Sequence, residues 1–344
     1  MILPRFDVLV PETIEEAISM LVEHADEDVR ILAGGTDLLV DLRRPIIPYH
    51  VPRCDGCPTH PEGAVSSTID CSMWSSEPLM ASGGSIREAL KDDRKSSPAY
   101  LISLHKLNEL KSIHKADNGA LKVGALTTIT EIERSSDIRN EWTALAEGAD
   151  NLGSPLVRNR GTIGGNIANA RPAADTAVPT IALGGVLTLQ GKNGSRTVKA
   201  EEFPKGPGVT TIKTDEILTT VSFPKSVPYS GSAYYKLANR KALEISTVGV
   251  AVWVCLEKPG GAVADIRIAL GAVGPTPILA ESVKETIIGN VPNDDIIDAA
   301  VKAVVSDSRP IDDHRGSAWY RIEMVETLTR RMLKLALKRA KENR

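Results

Sequence analysis

Arg160-Gly161-Thr162-Ile163-Gly164-Gly165-Asn166-Ile167-Ala168-Asn169 is the stretch on which the reading of this chain turns. Three glycines lie close together, and glycine allows positive φ and a bare approach of backbone to ligand. Thr162 and Asn166 add a hydroxyl and an amide at the same edge. Successive N–H groups in such a turn form a concave anion site, the natural partner of a phosphate. Ala168, Ala170, Ala173 and Ala174 keep the next segment small, and Asp175 then supplies a carboxylate. If the chain doubles back, that carboxylate can accept from a ribose hydroxyl or a ring N–H.

A second stretch of the same kind lies far upstream: Leu32-Ala33-Gly34-Gly35-Thr36-Asp37-Leu38, preceded by Val29 and Ile31 in a short apolar run that reads as a strand. Neither stretch matches a P-loop or the dinucleotide fingerprint G-x-G-x-x-G. A single glycine pair before a hydroxyl residue describes any tight turn. Two of them, each after an apolar strand, fit a diphosphate held between two loops.

Together, Ala33-Gly34-Gly35-Thr36-Asp37-Leu38 and Gly161-Thr162-Ile163-Gly164-Gly165-Asn166 resemble the FAD-binding medium subunit of the molybdenum hydroxylases. That family includes the flavin subunits of bacterial carbon monoxide dehydrogenase, xanthine dehydrogenase and 4-hydroxybenzoyl-CoA reductase. Further landmarks are Phe6-Asp7-Val8-Leu9-Val10-Pro11-Glu12-Thr13, Leu121-Lys122-Val123-Gly124-Ala125-Leu126-Thr127-Thr128, Asp215-Glu216-Ile217-Leu218 and Tyr235-Lys236-Leu237-Ala238. The resemblance runs nearly end to end and leaves out only residues 45–97.

The resemblance implies an α+β fold: a two-lobed FAD-binding (PCMH-type) region, then a C-terminal domain with a three-stranded antiparallel sheet and a helical bundle. Residues 1–44 would form the first FAD-binding lobe, 45–97 a Cys-containing insertion, 98–225 the second lobe and 229–344 the C-terminal flavoprotein domain. It also implies roles. Ala33, Gly34, Gly35, Thr36, Asp37 and Leu38 would cradle the diphosphate from one side. Gly161, Thr162, Gly164, Gly165, Asn166 and Ile167 would do so from the other. Asp175 would hold a polar edge of FAD, and Leu218 would pack on the cofactor. From pattern alone Lys236 is a strand lysine at the surface; the resemblance moves it beside the pyrimidine end of the flavin. No side chain is nominated as catalytic, because the flavin carries the electron chemistry itself.

The implied role is an FAD-carrying electron-transfer subunit of a heteromeric molybdenum or tungsten hydroxylase. Its partners would be a molybdopterin-binding large subunit and a [2Fe-2S] small subunit, with NAD, a quinone or ferredoxin as acceptor. The plant-type cysteine spacing of [2Fe-2S] proteins is absent here, so those centres are expected on another chain. Two rival readings are a free-standing FAD oxidoreductase, which would need an acid or base beside the ring, and a nucleotide-binding scaffold without redox activity.

The 344 residues suffice for two or three domains with real cores. A net charge of −3 implies no polyanionic partner, and nucleic acid is not expected. No apolar run reaches the length of a membrane span. Met1-Ile2-Leu3-Pro4-Arg5 lacks the layout of a signal peptide, so the cytoplasm is the expected compartment.

Between Pro45 and Pro98 the texture changes to prolines and serines, with one helix expected from Ser85 to Asp92. Cys54-Asp55-Gly56-Cys57, with Cys71, groups three thiols there. His50, His60 or Asp70 would be the fourth ligand of a zinc or iron–sulfur site. Three free thiols with no metal is the competing reading. Cys255, between Val254 and Leu256, reads as a buried apolar residue.

Overall fold

The computed structural model describes residues 3–43 and 98–343. Cys54, Cys57, Cys71 and the helix expected from Ser85 lie outside the described residues. Among the described residues no helix is long and apolar enough to cross a membrane.

The chain begins with β1 (Asp7–Leu9), α1 (Ile14–Glu23), β2 (Val29–Leu32), α2 (Leu38–Asp41) and β3 (Tyr100–Ser103). These strands form a parallel sheet in the order β1-β3-β2, with Leu101 beside both Val8 and Arg30. The central strand therefore arrives after residues 45–97, although the sequence division assigned residue 98 onwards to the second lobe. α1 starts at Thr13, whose hydroxyl accepts from the Glu16 N–H at 3.1 Å. Glu16 answers to the N–H of Glu12 at 2.6 Å, one residue before the position a capping box would use. Ile14, Ala17, Ile18 and Leu21 form the buried stripe of α1 and pack with Ile102, Leu104, Leu107 and Leu110.

Two 3-10 turns lead to β4 (Ile113–Lys115) and β5 (Leu121–Gly124). Then come α3 (Ile129–Arg134), α4 (Ser136–Glu141), α5 (Thr143–Asp150), α6 (Pro155–Arg158), α7 (Ile163–Ala168) and α8 (Ala177–Ala182). Strands β6 (Val186–Gly191), β7 (Gly194–Lys199), β8 (Pro204–Gly206), β9 (Val209–Thr210) and β10 (Ile217–Phe223) complete this part. The second sheet is antiparallel in the order β4-β5-β10-β6-β7. Helices α4 and α5 are separate elements. Trp142 stands at the break, its indole buried and donating to the Pro224 carbonyl at 3.0 Å. Strands β6 and β7 form a hairpin: Gly191 pairs with Gly194, whose φ of +105° suits only glycine in so tight a turn.

The third sheet holds β11 (Ser230–Leu237), β12 (Val248–Leu256), β13 (Val263–Gly271) and β14 (Ile278–Leu279), all antiparallel in that order. It has four strands where three were expected. Two residues after the run Gly274-Pro275-Thr276-Pro277 are too short a pattern to read as a strand. Helices α9 (Val283–Ile287), α10 (Asp294–Asp307) and α11 (Ala318–Glu342) follow. Val248, Val250, Val252 and Val254 join one core with α10 and α11, while Ala251 and Ala269 join the core of the second sheet. That division follows the two-residue period of a strand. Gly231 lets α11 approach bare: a Cβ there would stand 2.3 Å from the Ala336 carbonyl oxygen. Cys255, on the inner strand β12, is partly exposed rather than buried, its thiol turned toward the Pro228 carbonyl.

Candidate cofactor cleft

The two glycine stretches meet. A Cβ placed on Gly34 would lie 2.1 Å from the Arg160 carbonyl oxygen and 2.9 Å from the Gly161 Cα, so the two backbones touch there with no side chain between. One on Gly161 would lie 3.5 Å from the Thr36 hydroxyl. Beside this contact opens a cleft of about 680 Å³. Of the residues nominated from sequence, Ala33, Gly34, Gly35, Thr36, Asp37, Leu38, Gly161, Thr162, Gly164, Gly165, Asn166, Asp175 and Leu218 line it. Ile167 does not: it points into the core beside Ile163. Lys236 stands behind the wall rather than on it.

The glycines serve two different needs. Gly35 alone among them takes a positive φ, +74°. Gly164 is required by approach: its Cβ would meet Ala125 Cβ at 2.6 Å and the Ala125 carbonyl oxygen at 2.7 Å. The stretch expected as a bare loop is in fact helix α7, with Thr162 as its cap accepting from the Gly165 N–H at 3.1 Å. Ile163 and Ile167, one turn apart, anchor it in the core. Cap and burial together offset the roughly 1 kcal/mol that each glycine costs inside a helix.

The two walls differ in what they offer. On the first, the N–H groups of Gly34, Gly35, Thr36, Asp37 and Leu38 find no acceptor among the described residues. Five such groups in succession, ending at the start of α2 and all on residues that line the cleft, are donors of the kind an anion accepts from. On the second, the N–H groups of Gly161, Ile163, Gly164, Gly165 and Asn166 are spent on Val157, Thr127, Ala125 and Thr162. Among the described residues only the Thr162 N–H of this stretch finds no acceptor, so the anion site read into these glycines is not built from their backbone. The second wall instead presents a side chain, Asn166. Its Oδ1 accepts from the Thr176 N–H at 3.2 Å and the Thr176 hydroxyl at 2.6 Å.

Asp175 forms the far wall. Its side chain is buried, and Lys236 Nζ donates to Oδ2 at 2.6 Å. Tyr234 and Ser246 donate to Oδ1 at 3.0 and 2.8 Å. Burial pushes the Asp175 carboxyl above its ordinary value, and the Lys236 ammonium and the two hydroxyls oppose that rise. Burial also drives the Tyr234 phenol well up, so it remains a donor. Lys236 is therefore neither a surface lysine nor a wall residue: its charge reaches the cleft through Asp175. Tyr234 and Ser246 escaped the sequence reading, though Tyr234 shares the face of Lys236 by strand period. Asn169, which donates to Asp37 at 3.1 Å, and Arg171, paired with Asp41 at 3.4 Å, were also missed. Both pairs tie the first wall to the second.

Apolar residues (Leu104, Leu126, Leu152, Val157, Leu218) line the remainder. A row of uncommitted N–H groups at one end and apolar walls at the other fit a cofactor with a diphosphate and a flat ring system. The architecture defines the class: a protein that grips a nucleotide cofactor between a glycine loop and a short capped helix. Residues 71–226 match the family model described as FAD binding domain in molybdopterin dehydrogenase, and residues 233–336 match the CO dehydrogenase flavoprotein C-terminal domain. The chain is 36% identical over 255 residues to the glyceraldehyde dehydrogenase medium chain of Sulfolobus acidocaldarius, covering 74% of this chain and 89% of that one. It is 32% identical over 336 residues to the carbon monoxide dehydrogenase medium chain of Hydrogenophaga pseudoflava, covering 98% of both. A solved carbon monoxide dehydrogenase from Hydrogenophaga pseudoflava, lacking the Mo-pyranopterin moiety of its cofactor, superposes with a TM-score of 0.79 at 29% identity, over 98% of this chain and 99% of that one. The chain belongs to the family of FAD-binding flavoprotein subunits of the molybdopterin dehydrogenases.

Proposed function

We propose that this chain is the FAD-carrying electron-transfer subunit of a heteromeric molybdenum or tungsten hydroxylase. It would move electrons between the iron–sulfur centres of a small partner subunit and an external acceptor such as NAD, a quinone or ferredoxin. A large partner subunit would hold the molybdopterin and choose the substrate. The row of five uncommitted N–H groups at the cleft wall, in a chain of this family, carries the reading. The named relatives differ in what they oxidise, glyceraldehyde in one case and carbon monoxide in another, which fits a flavin chain that leaves substrate choice to its partners.

In this reading Gly34 to Leu38 would hold the diphosphate by backbone donors, with the Thr162 N–H and the Asn166 amide opposite. Leu218 would pack on the ring system, and Asp175 would offer its remaining lone-pair site to a cofactor donor. Bound FAD supplies the redox chemistry. The chain's own residues bind and orient it, and the Asp175–Lys236 pair sets the charge behind it.

The test is purification of the chain with the proteins that accompany it. The expected result is a yellow protein with an oxidised-flavin spectrum, one FAD per chain, and two co-purifying subunits carrying molybdenum or tungsten and iron. A colourless chain with tightly bound ADP would overturn it in favour of a scaffold. A yellow chain that purifies alone and turns over a small substrate would overturn it in favour of a free-standing oxidoreductase.

A further inference from the structure

We infer that Thr176 is a positioning residue that locks the Asn166 amide with its NH2 group turned to the cleft, giving the second wall a side-chain donor of fixed orientation. The inference rests on the FAD reading for the identity of the ligand, and on the geometry alone for the orientation. A backbone N–H can only donate, so the amide atom facing the Thr176 N–H at 3.2 Å is the oxygen. The Thr176 hydroxyl donates to the same oxygen at 2.6 Å, which fills both of its lone pairs. Nδ2 then lies at the other end. Asn166 lines the cleft and is half-buried, and Nδ2 finds no acceptor among the described residues.

Thr176 is itself fully buried, and its carbonyl accepts from the Thr180 hydroxyl at 2.7 Å within α8. The lock is thus anchored in the core and does not depend on the ligand. Its consequence follows from the second wall's backbone: with the α7 N–H groups spent, the Asn166 NH2 and the Thr162 N–H join the side chains of Asn169 and Arg171 as the donors of this wall. Were the amide free to rotate, it could equally present an acceptor, which would repel a phosphoryl or carbonyl oxygen. Thr176 removes that alternative. The cleft therefore discriminates for acceptor-rich ligands at this wall through a residue that does not itself line the cleft.

FAD affinity of the deflavinated full-length chain, followed by quenching of flavin fluorescence, tests this. Thr176→Val, which keeps the backbone N–H to Oδ1 and removes only the hydroxyl, is expected to weaken FAD by about three- to tenfold, the worth of one neutral hydrogen bond, and Thr176→Ser to stay within about twofold of the original. Asn166→Ala is expected to lose more, roughly ten- to thirtyfold, the worth of a hydrogen bond to a charged group, and the double variant to lose no more than Asn166→Ala, because both act through one amide. Asn166→Asp keeps an acceptor for both Thr176 donors but replaces NH2 with oxygen. It is expected to melt as the unsubstituted apo-protein does and yet bind FAD at least as weakly as Asn166→Ala. This last pair decides the matter even if Thr176→Val fails to fold. Additive losses in the double variant, wild-type affinity in Thr176→Val, or wild-type affinity in Asn166→Asp would each overturn the inference alone. Failure of the unsubstituted chain to take up FAD would overturn the reading of the cleft and the inference with it.

Discussion

Gly34 and Gly35 are neighbours with opposite reasons to be glycine, and substitution separates them. At Gly34 the obstacle is backbone: an added Cβ meets the Arg160 carbonyl at 2.1 Å, and neither loop has a flexible side chain to yield. Gly34→Ala should cost about 3 kcal/mol, the upper end of overpacking, and force the two walls apart. At Gly35 the nearest atoms are the pliable ends of Leu32 and Leu39, and the cost is that of the left-handed conformation, about 1 kcal/mol. Thermal melts of both apo-proteins with their FAD affinities check this; equal losses would refute the distinction. Lys236 offers a second test. Removing it as Lys236→Met leaves the buried Asp175 without its cation, a loss of about 3 kcal/mol near neutrality. Burial already raises the Asp175 value in the folded chain. Without Lys236 it rises further, so as pH climbs above the ordinary value of 3.8 the unfolded chain ionises first and folding is penalised. The deficit of Lys236→Met against the unsubstituted chain should therefore shrink as pH falls toward 3.8, as read from denaturant melts at several pH values.

Among the elements, α2 and α7 form the jaws of the cleft. Asn169 donates to Asp37, and Arg171 pairs with Asp41, so the end of α7 is strapped to α2 at two points. Arg171 and Asp41 are half exposed, and such pairs are worth at most about 1 kcal/mol. Asn169→Ala with Arg171→Ala should therefore barely move the melting temperature, while the FAD dissociation rate rises severalfold as the jaws part more readily. An unchanged rate would mean the straps play no part in retention. These elements also show where the sequence was legible. Helix α1 is legible in Thr13 and the apolar positions Ala17, Ile18 and Leu21, because a cap and a 3.6-residue period are local signals. The meeting of the glycine stretches was legible from the paired motifs. Helix α7 was hidden because Gly164-Gly165 reads as a turn, and what makes it a helix is tertiary: the Thr162 cap, and Ile163 and Ile167 in a core formed by distant strands. β14 was hidden by its brevity. The partners of Asp175 lie 59 to 71 positions away, on β11 and the turn after it, a distance no local pattern encodes.

At the scale of the whole molecule, a cut at residues 225–229 follows the sequence division but not the packing. All three donors to Asp175 (Tyr234, Lys236 and Ser246) come from β11 and the turn after it, so one wall of the cleft is completed by the C-terminal part. Helix α5 is bound to the same strand by Ala144 donating to Ser232 and by Glu147 accepting from Tyr234 at 2.7 Å. Arg339, near the far end of α11, donates to Glu147 as well. Tyr234, Ala251 and Ala269 sit in the same apolar core as Leu145, Val178 and Ile181. Gly271 runs so close to α8 that a Cβ there would meet Val178 at 2.6 Å. A chain ended after Val227 would expose that core face and leave Asp175 buried or half-buried with no donor. We expect it to lose cooperative melting and to bind a hydrophobic dye such as ANS, the marks of a collapsed state without fixed packing. It should also take up no FAD, although every residue from Gly34 to Asn166 is still present. Supplying residues 228–344 as a separate polypeptide during refolding should restore both the cooperative melt and FAD uptake. A truncated chain that melts cooperatively and binds FAD unaided would show instead that the third sheet merely rests against the cleft.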